Sequence, residues 1–139
     1  MNTPTPVTTA TAVVSFWRDA GPQRWFRKDD AFDADFRARF STTHDAAARG
    51  DLAHWATTAE GALALLILLD QYPRNSFRGT ARMFATDAQA RAIAHAAVDA
   101  GLDQQTEQGL RNFFYLPFMH SEDLADQDRA LALCTALGP

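Results

Sequence analysis

The segment Asp70-Gln71-Tyr72-Pro73-Arg74-Asn75 gathers hydrogen-bonding side chains directly after the most apolar stretch of the chain, Ala62 to Leu69. Arg74 offers a planar fork of donors that matches a carboxylate or a phosphate. Gln71 and Asn75 each carry a donor and an acceptor, which suits them to orienting a ligand. A second polar segment reads Pro117-Phe118-Met119-His120-Ser121-Glu122-Asp123. Histidine is the side chain that trades protons near neutral pH, so His120 with Glu122 or Asp70 would form an acid–base pair, and Arg74 would steady developing negative charge. Arg82 is a further candidate for an acidic group, and Trp17 and Tyr115 for the apolar wall of a pocket.

Each of these residues also has a structural role open to it. Asp70 and Gln71 can tie down a loop, and Arg74 can pair with an internal carboxylate, because buried polar groups need partners. Serine followed by acids is a common helix start, favoured by the macrodipole. His-x-Glu lacks a second histidine at helical spacing, so no metal site is expected. No cofactor is expected either, since G-x-G-x-x-G, Walker A, G-x-S-x-G, H-E-x-x-H and Cys-x-x-Cys motifs are all missing from the sequence. His95 falls opposite an apolar stripe and reads as solvated, His44 reads as a boundary residue, and His54 has no evident role.

The elements that must position these groups read as helices, because alternating runs and hairpin turns do not occur. Val13, Val14, Phe16 and Trp17 share a first helix that closes near Gly21-Pro22. Phe32, Phe36 and Phe40 recur every four residues on a second helix, from Asp29 or Asp30 to Gly50, with Asp33 and Arg37 as a surface pair. Thr57 or Thr58 caps a third, wholly buried helix that stops at Tyr72-Pro73, with a loop from Pro73 to Thr80. A fourth starts after Thr86 or Asp87 and closes at Gly101. Thr106 caps a fifth, interrupted at Pro117. Ser121 caps a last helix with Leu124, Leu131 and Cys134 on one side. The aromatic pairs Phe16-Trp17 and Trp25-Phe26 clamp the first helix onto the core.

The sequence has 139 residues, room for one core. Thirteen Lys and Arg against seventeen Asp and Glu give a net charge of -4, which argues against a nucleic-acid partner. The apolar run is far short of the roughly 18 residues of a membrane span, so no membrane partner is expected. The single cysteine, Cys134, makes no internal disulfide and fits a reducing compartment as a buried, inert thiol. The N-terminus lacks the basic start of a secretory signal, so a cytoplasmic location is expected.

Several segments recur in a known order: Phe16-Trp17, Trp25-Phe26-Arg27-Lys28-Asp29, Phe32-Asp33, Gly61-Ala62-Leu63-Ala64, Asp70 to Asn75, Arg78-Gly79-Thr80-Ala81, Phe84-Ala85-Thr86-Asp87 and Phe114 to Asp123. The ordered set resembles the bacterial DUF924 family from about Val13 to Leu137. The resemblance implies an all-α, tetratricopeptide-like helical array and supplies neither an activity nor catalytic residues. Family members usually continue with another helical stretch holding His- and Arg-bearing motifs, so a chain ending at Gly138-Pro139 is expected to be either a C-terminally truncated product or a shorter variant. If that stretch completes the pocket, the chain lacks part of its site and exposes an apolar face that favours self-association.

The expected architecture is all-α, with about six antiparallel helices. Residues 1–12 are expected to be a flexible segment and residues 13–139 a single helical domain. Three functions remain open. The first is a pocket for a small acidic molecule or peptide, held by Arg74, Arg82, Asn75, Gln71, Tyr115 and Trp17. The second is an acid–base enzyme using His120. The third is a protein–protein interaction scaffold, which would present an apolar groove and no convergent polar cluster.

Overall fold

The computed structural model describes residues 6–137, and these are all-helical, with no strand among them. Residues 1–5 of the expected flexible segment lie outside the described residues. Helix α1 spans Ala10–Ala20 and is capped by Thr9, whose hydroxyl accepts from the Ala12 N–H at 3.1 Å. The Thr8 N–H donates to Thr43 Oγ1 at 2.9 Å, so the helical unit starts ahead of Val13. A positive φ of 73° at Gly21 lets the chain reverse into the single turn α2, Pro22–Trp25. The reversal stacks Trp25 on Trp17 and lets its indole N–H donate to the Trp17 carbonyl at 2.7 Å. Helix α3, Asp30–Ala48, is capped by Asp29 and buries Phe32, Phe36 and Phe40 against Phe16 and Trp17. Asp33 and Arg37 do not pair with each other. Asp33 accepts from Asn75 and Arg78, while Arg37 reaches the Ser76 carbonyl and lies over Phe77.

Helix α4, Ala59–Leu66, is capped by Thr58 and buried from Gly61 onward. Helices α1, α6 and α7 pack around it, which explains why its sequence is apolar on every face. The expected stop at Tyr72-Pro73 does not occur. The helix continues through a π-helical segment, Ile67–Gln71, into α5, Tyr72–Ser76. The Tyr72 N–H reaches back five residues to the Ile67 carbonyl, and Pro73 has no N–H to offer the Leu69 carbonyl. Side chains from other elements take the carbonyls around this step. His44 Nδ1 bonds the Leu68 oxygen at 2.8 Å, and the Thr86 hydroxyl donates to the Leu69 oxygen at 2.6 Å. A proline that would end an isolated helix is accommodated here because those partners satisfy the backbone.

Helix α6, Asp87–Asp99, closes on Gly101 at φ 76°. Two short 3-10 turns lead to α7, Asn112–Met119, and the chain ends in α8, Leu124–Leu137. Three local expectations fail in this half. Thr106 is no cap, since its hydroxyl donates to the Leu102 carbonyl. Helix α7 runs through Pro117, with the Leu116 and Phe118 carbonyls taken by the N–H groups of His120 and Ser121. Asp123, not Ser121, caps α8, accepting from the Ala125 N–H at 2.9 Å. Leu124 and Leu131 face solvent, and Ala130 with Leu133 and Cys134 faces the core. With α2 a single turn and α5 an extension of α4, six independent helices remain among the described residues. No helix among the described residues is long and apolar enough to cross a membrane.

Candidate functional site

Asp70 sits in the π segment, only 1% exposed, where its side chain meets the end of α7. Three donors converge on its carboxylate. His120 Nδ1 lies 2.8 Å from Oδ1, Arg74 Nη1 lies 3.2 Å from the same oxygen, and Gln71 Nε2 donates to Oδ2 at 2.8 Å. His120 caps the C-terminal end of α7, fifty residues along the chain, and its side chain is a quarter exposed. With Nδ1–H directed at Asp70, Nε2 is left without a protein partner among the described residues.

His120 and Arg74 line the same cleft, an opening of about 850 Å³ between α6 and the start of α8. Asp87, Arg91, Glu122 and Asp126 line it as well, with the exposed ring of Phe84 at its edge. Arg74 is engaged inside the protein. It holds Asp87 through Nη1 and Nη2 at 2.8 and 3.0 Å, and Nη1 also reaches the Asp70 carbonyl at 2.8 Å. Asp126 accepts from the Ser121 hydroxyl at 2.7 Å and from His95 Nε2 at 2.8 Å. The Ser121 bond first, and His95 after it, hold the Asp126 carboxyl below its ordinary value. His95 is only partly exposed, not free in solvent. It packs on Phe118 and takes a hydrogen bond from Arg129 at Nδ1, which leaves Nε2–H for Asp126.

Of the residues singled out in the sequence, Asp70, Arg74, His120 and Glu122 come together here. Gln71 stands behind them, on Asp70. The others lie elsewhere. Asn75 is buried and donates to Asp33 at 2.8 Å, locking α5 to α3. Arg82 lies over Phe77, 4.1 Å from the ring centre, beside a smaller cavity that holds His44 and Asp45. Tyr115 is buried and donates to Asp103 at 2.6 Å, and burial together with that bond pushes its phenol up. Trp17 is buried in the aromatic core. Asp87, Arg91, Phe84 and Asp126 were missed. Asp87 and Arg91 carry a usable signal, standing four apart on one face of a helix that starts at Thr86. Asp126 and Phe84 carry none.

A family model described as bacterial protein of unknown function, DUF924, matches residues 13–139. The chain belongs to the DUF924 family. Its structure is similar to that of ATU0120, a protein of unknown function from Agrobacterium tumefaciens, at 54% identity and a TM-score of 0.92. The match covers 94% of this chain and 74% of that one. No curated protein matches the sequence. In this DUF924 protein the two polar segments quoted for the resemblance are the ones that meet at Asp70 and His120.

Proposed function

We propose that the cleft is an acid–base site in which His120 moves a proton to or from a small molecule. The observation that carries this reading is the 2.8 Å hydrogen bond from His120 to a buried carboxylate, with the second ring nitrogen left unpartnered on a residue that lines the cleft. A carboxylate behind an imidazole fixes its tautomer and supports the positive charge that forms when Nε2 takes a proton. Asp70 fills that position better than Glu122, which is exposed and makes no bond to His120 among the described residues. Arg74 contributes by holding Asp70 in place, as a positioning residue. The π segment that carries Asp70 fits this reading, since such segments concentrate at functional sites. A binding role without turnover is the second reading, favoured by the width and openness of the cleft. The interaction scaffold is disfavoured by the convergence of polar groups. A cytoplasmic location remains our expectation for it.

The test is a small-molecule library incubated with the protein in D2O and read by mass spectrometry for conversion or deuterium uptake. The expected result is at least one compound altered by the wild type, with the rate reduced about 10²–10⁴-fold in His120→Gln. A library left unaltered, or altered equally by His120→Gln, overturns the acid–base reading. A compound that raises the Tm without being altered would establish the binding role instead.

A further inference from the structure

We infer that the compound taken by this cleft is a small monocarboxylic acid with an apolar body, anchored by Arg91. The inference rests on the cleft being the working site, and it assigns the ligand's charge and shape. The expectation of an acidic ligand placed the anchor at Arg74, but both arms of that guanidinium are occupied by Asp87. The carboxylates of the cleft are largely committed too. Asp87 is paired with Arg74, Asp126 accepts from Ser121 and His95, and Asp123 caps α8.

Arg91 is different. It lies one turn beyond Asp87 on α6, lines the cleft, is only partly exposed, and has no ion pair or hydrogen bond among the described residues. A guanidinium withdrawn from water without a partner is a standing cost that an incoming carboxylate repays with two parallel hydrogen bonds. Phe84 supplies the complementary apolar surface. Phe84 is 55% exposed, and the Arg74 guanidinium carbon lies over its ring, 5.8 Å from the ring centre. Glu122, unpaired among the described residues, and the acidic surroundings set an upper limit on the ligand's charge. A dianion such as phosphate would meet like charge at close range, whereas one negative charge opposite Arg91 would not.

The experiment is an NMR titration of the full chain with three probes: benzoate, benzylammonium and inorganic phosphate. Arg91 Nε–H and the Phe84 ring protons are the reporters. Benzoate is expected to shift both saturably, and to bind more tightly than phosphate. Arg91→Ala should weaken benzoate by at least about tenfold, the scale of one lost charge-assisted hydrogen bond. Its Tm should stay near that of the wild type, because Arg91 makes no hydrogen bond or ion pair among the described residues and its charge acts on Asp126 only as a minor, through-space influence. Benzoate binding unchanged in Arg91→Ala overturns the inference. So does preference for benzylammonium, phosphate binding as tight as benzoate, or no saturable shift. His120→Gln run in the same series separates the two readings. It should keep benzoate affinity within a few-fold while losing proton transfer, so either reading can fail with the other standing.

Discussion

Arg74 holds Asp87 through both nitrogens of its fork, at 2.8 and 3.0 Å, and the same guanidinium reaches Asp70, the carboxylate on which His120 rests. This chain of contacts joins α5, α6 and the end of α7 across the floor of the cleft. It makes Arg74 part of the frame and leaves the outer nitrogen of His120 without a protein partner among the described residues. The division follows from burial, since Asp70 is sealed at 1% exposure while His120 keeps a quarter of its side chain open.

Arg74→Ala should therefore behave as a stability variant. It strands the Asp87 carboxylate and takes one of three donors from Asp70, and breaking one partner of a buried pair costs about 3–5 kcal/mol. Discounted for the partial exposure of Arg74, that corresponds to a fall in Tm on the order of 10 °C. His120→Ala removes one of the three donors to Asp70 at the cleft wall and should cost less than Arg74→Ala, on the order of 1–2 kcal/mol, a fall in Tm of a few degrees. Thermal denaturation by circular dichroism reads both. An Arg74→Ala protein as stable as the wild type would sink the framing role.

The helices were legible where local chemistry and tertiary packing agree. The Phe32, Phe36 and Phe40 stripe, the Asp29 and Thr58 caps and the Gly21 and Gly101 stops all act within one turn of themselves. Pro73 misleads because its cost is relieved by His44 and Thr86, residues 29 and 13 positions away whose contact no local rule supplies. Leu124 and Leu131 mislead because Ala130, Leu133 and Cys134 form the core face of α8, and α8 carries leucines on both faces. The site follows the same division. His120 and Asp70 were each recognisable as chemical groups, and Glu122 stood as an equal partner until the fold brought Asp70 into contact. Arg91 is ambiguous in the sequence because an arginine on a helix surface reads as solvated, and the cleft around it forms from α6 and the start of α8 together.

Gly61 provides a test of packing that is independent of the site. A Cβ built there would lie 1.9 Å from the Trp55 carbonyl oxygen, where α4 passes under the 3-10 turn Ala53–Thr57. The obstructing atom belongs to the backbone, so it cannot rotate away. Gly61→Ala should destabilise the protein by about 1–3 kcal/mol despite the better helix propensity of alanine. Urea denaturation measures it, and a stabilised Gly61→Ala protein would contradict the close approach.

His44 should make stability depend on pH. It is buried against Tyr72, with ring centres 4.5 Å apart, and burial lowers its proton affinity from the ordinary 6.5 despite the Leu68 carbonyl and Asp45 acting to raise it. The unfolded chain therefore takes up this proton first as pH falls. The contribution of neutral His44 is fully present above the unfolded value of about 6.5 and is lost progressively as pH drops below it, toward the lower folded value. Arg82, near the ring, adds to the same direction. In His44→Gln that proton uptake is gone, so the fall in Tm between about pH 7.5 and pH 5 should be shallower than in the wild type, even though the variant starts lower for want of a matched bond to Leu68. Melting curves across this range decide the matter, and an unchanged slope in His44→Gln would show that protonation of His44 is not what acid acts on.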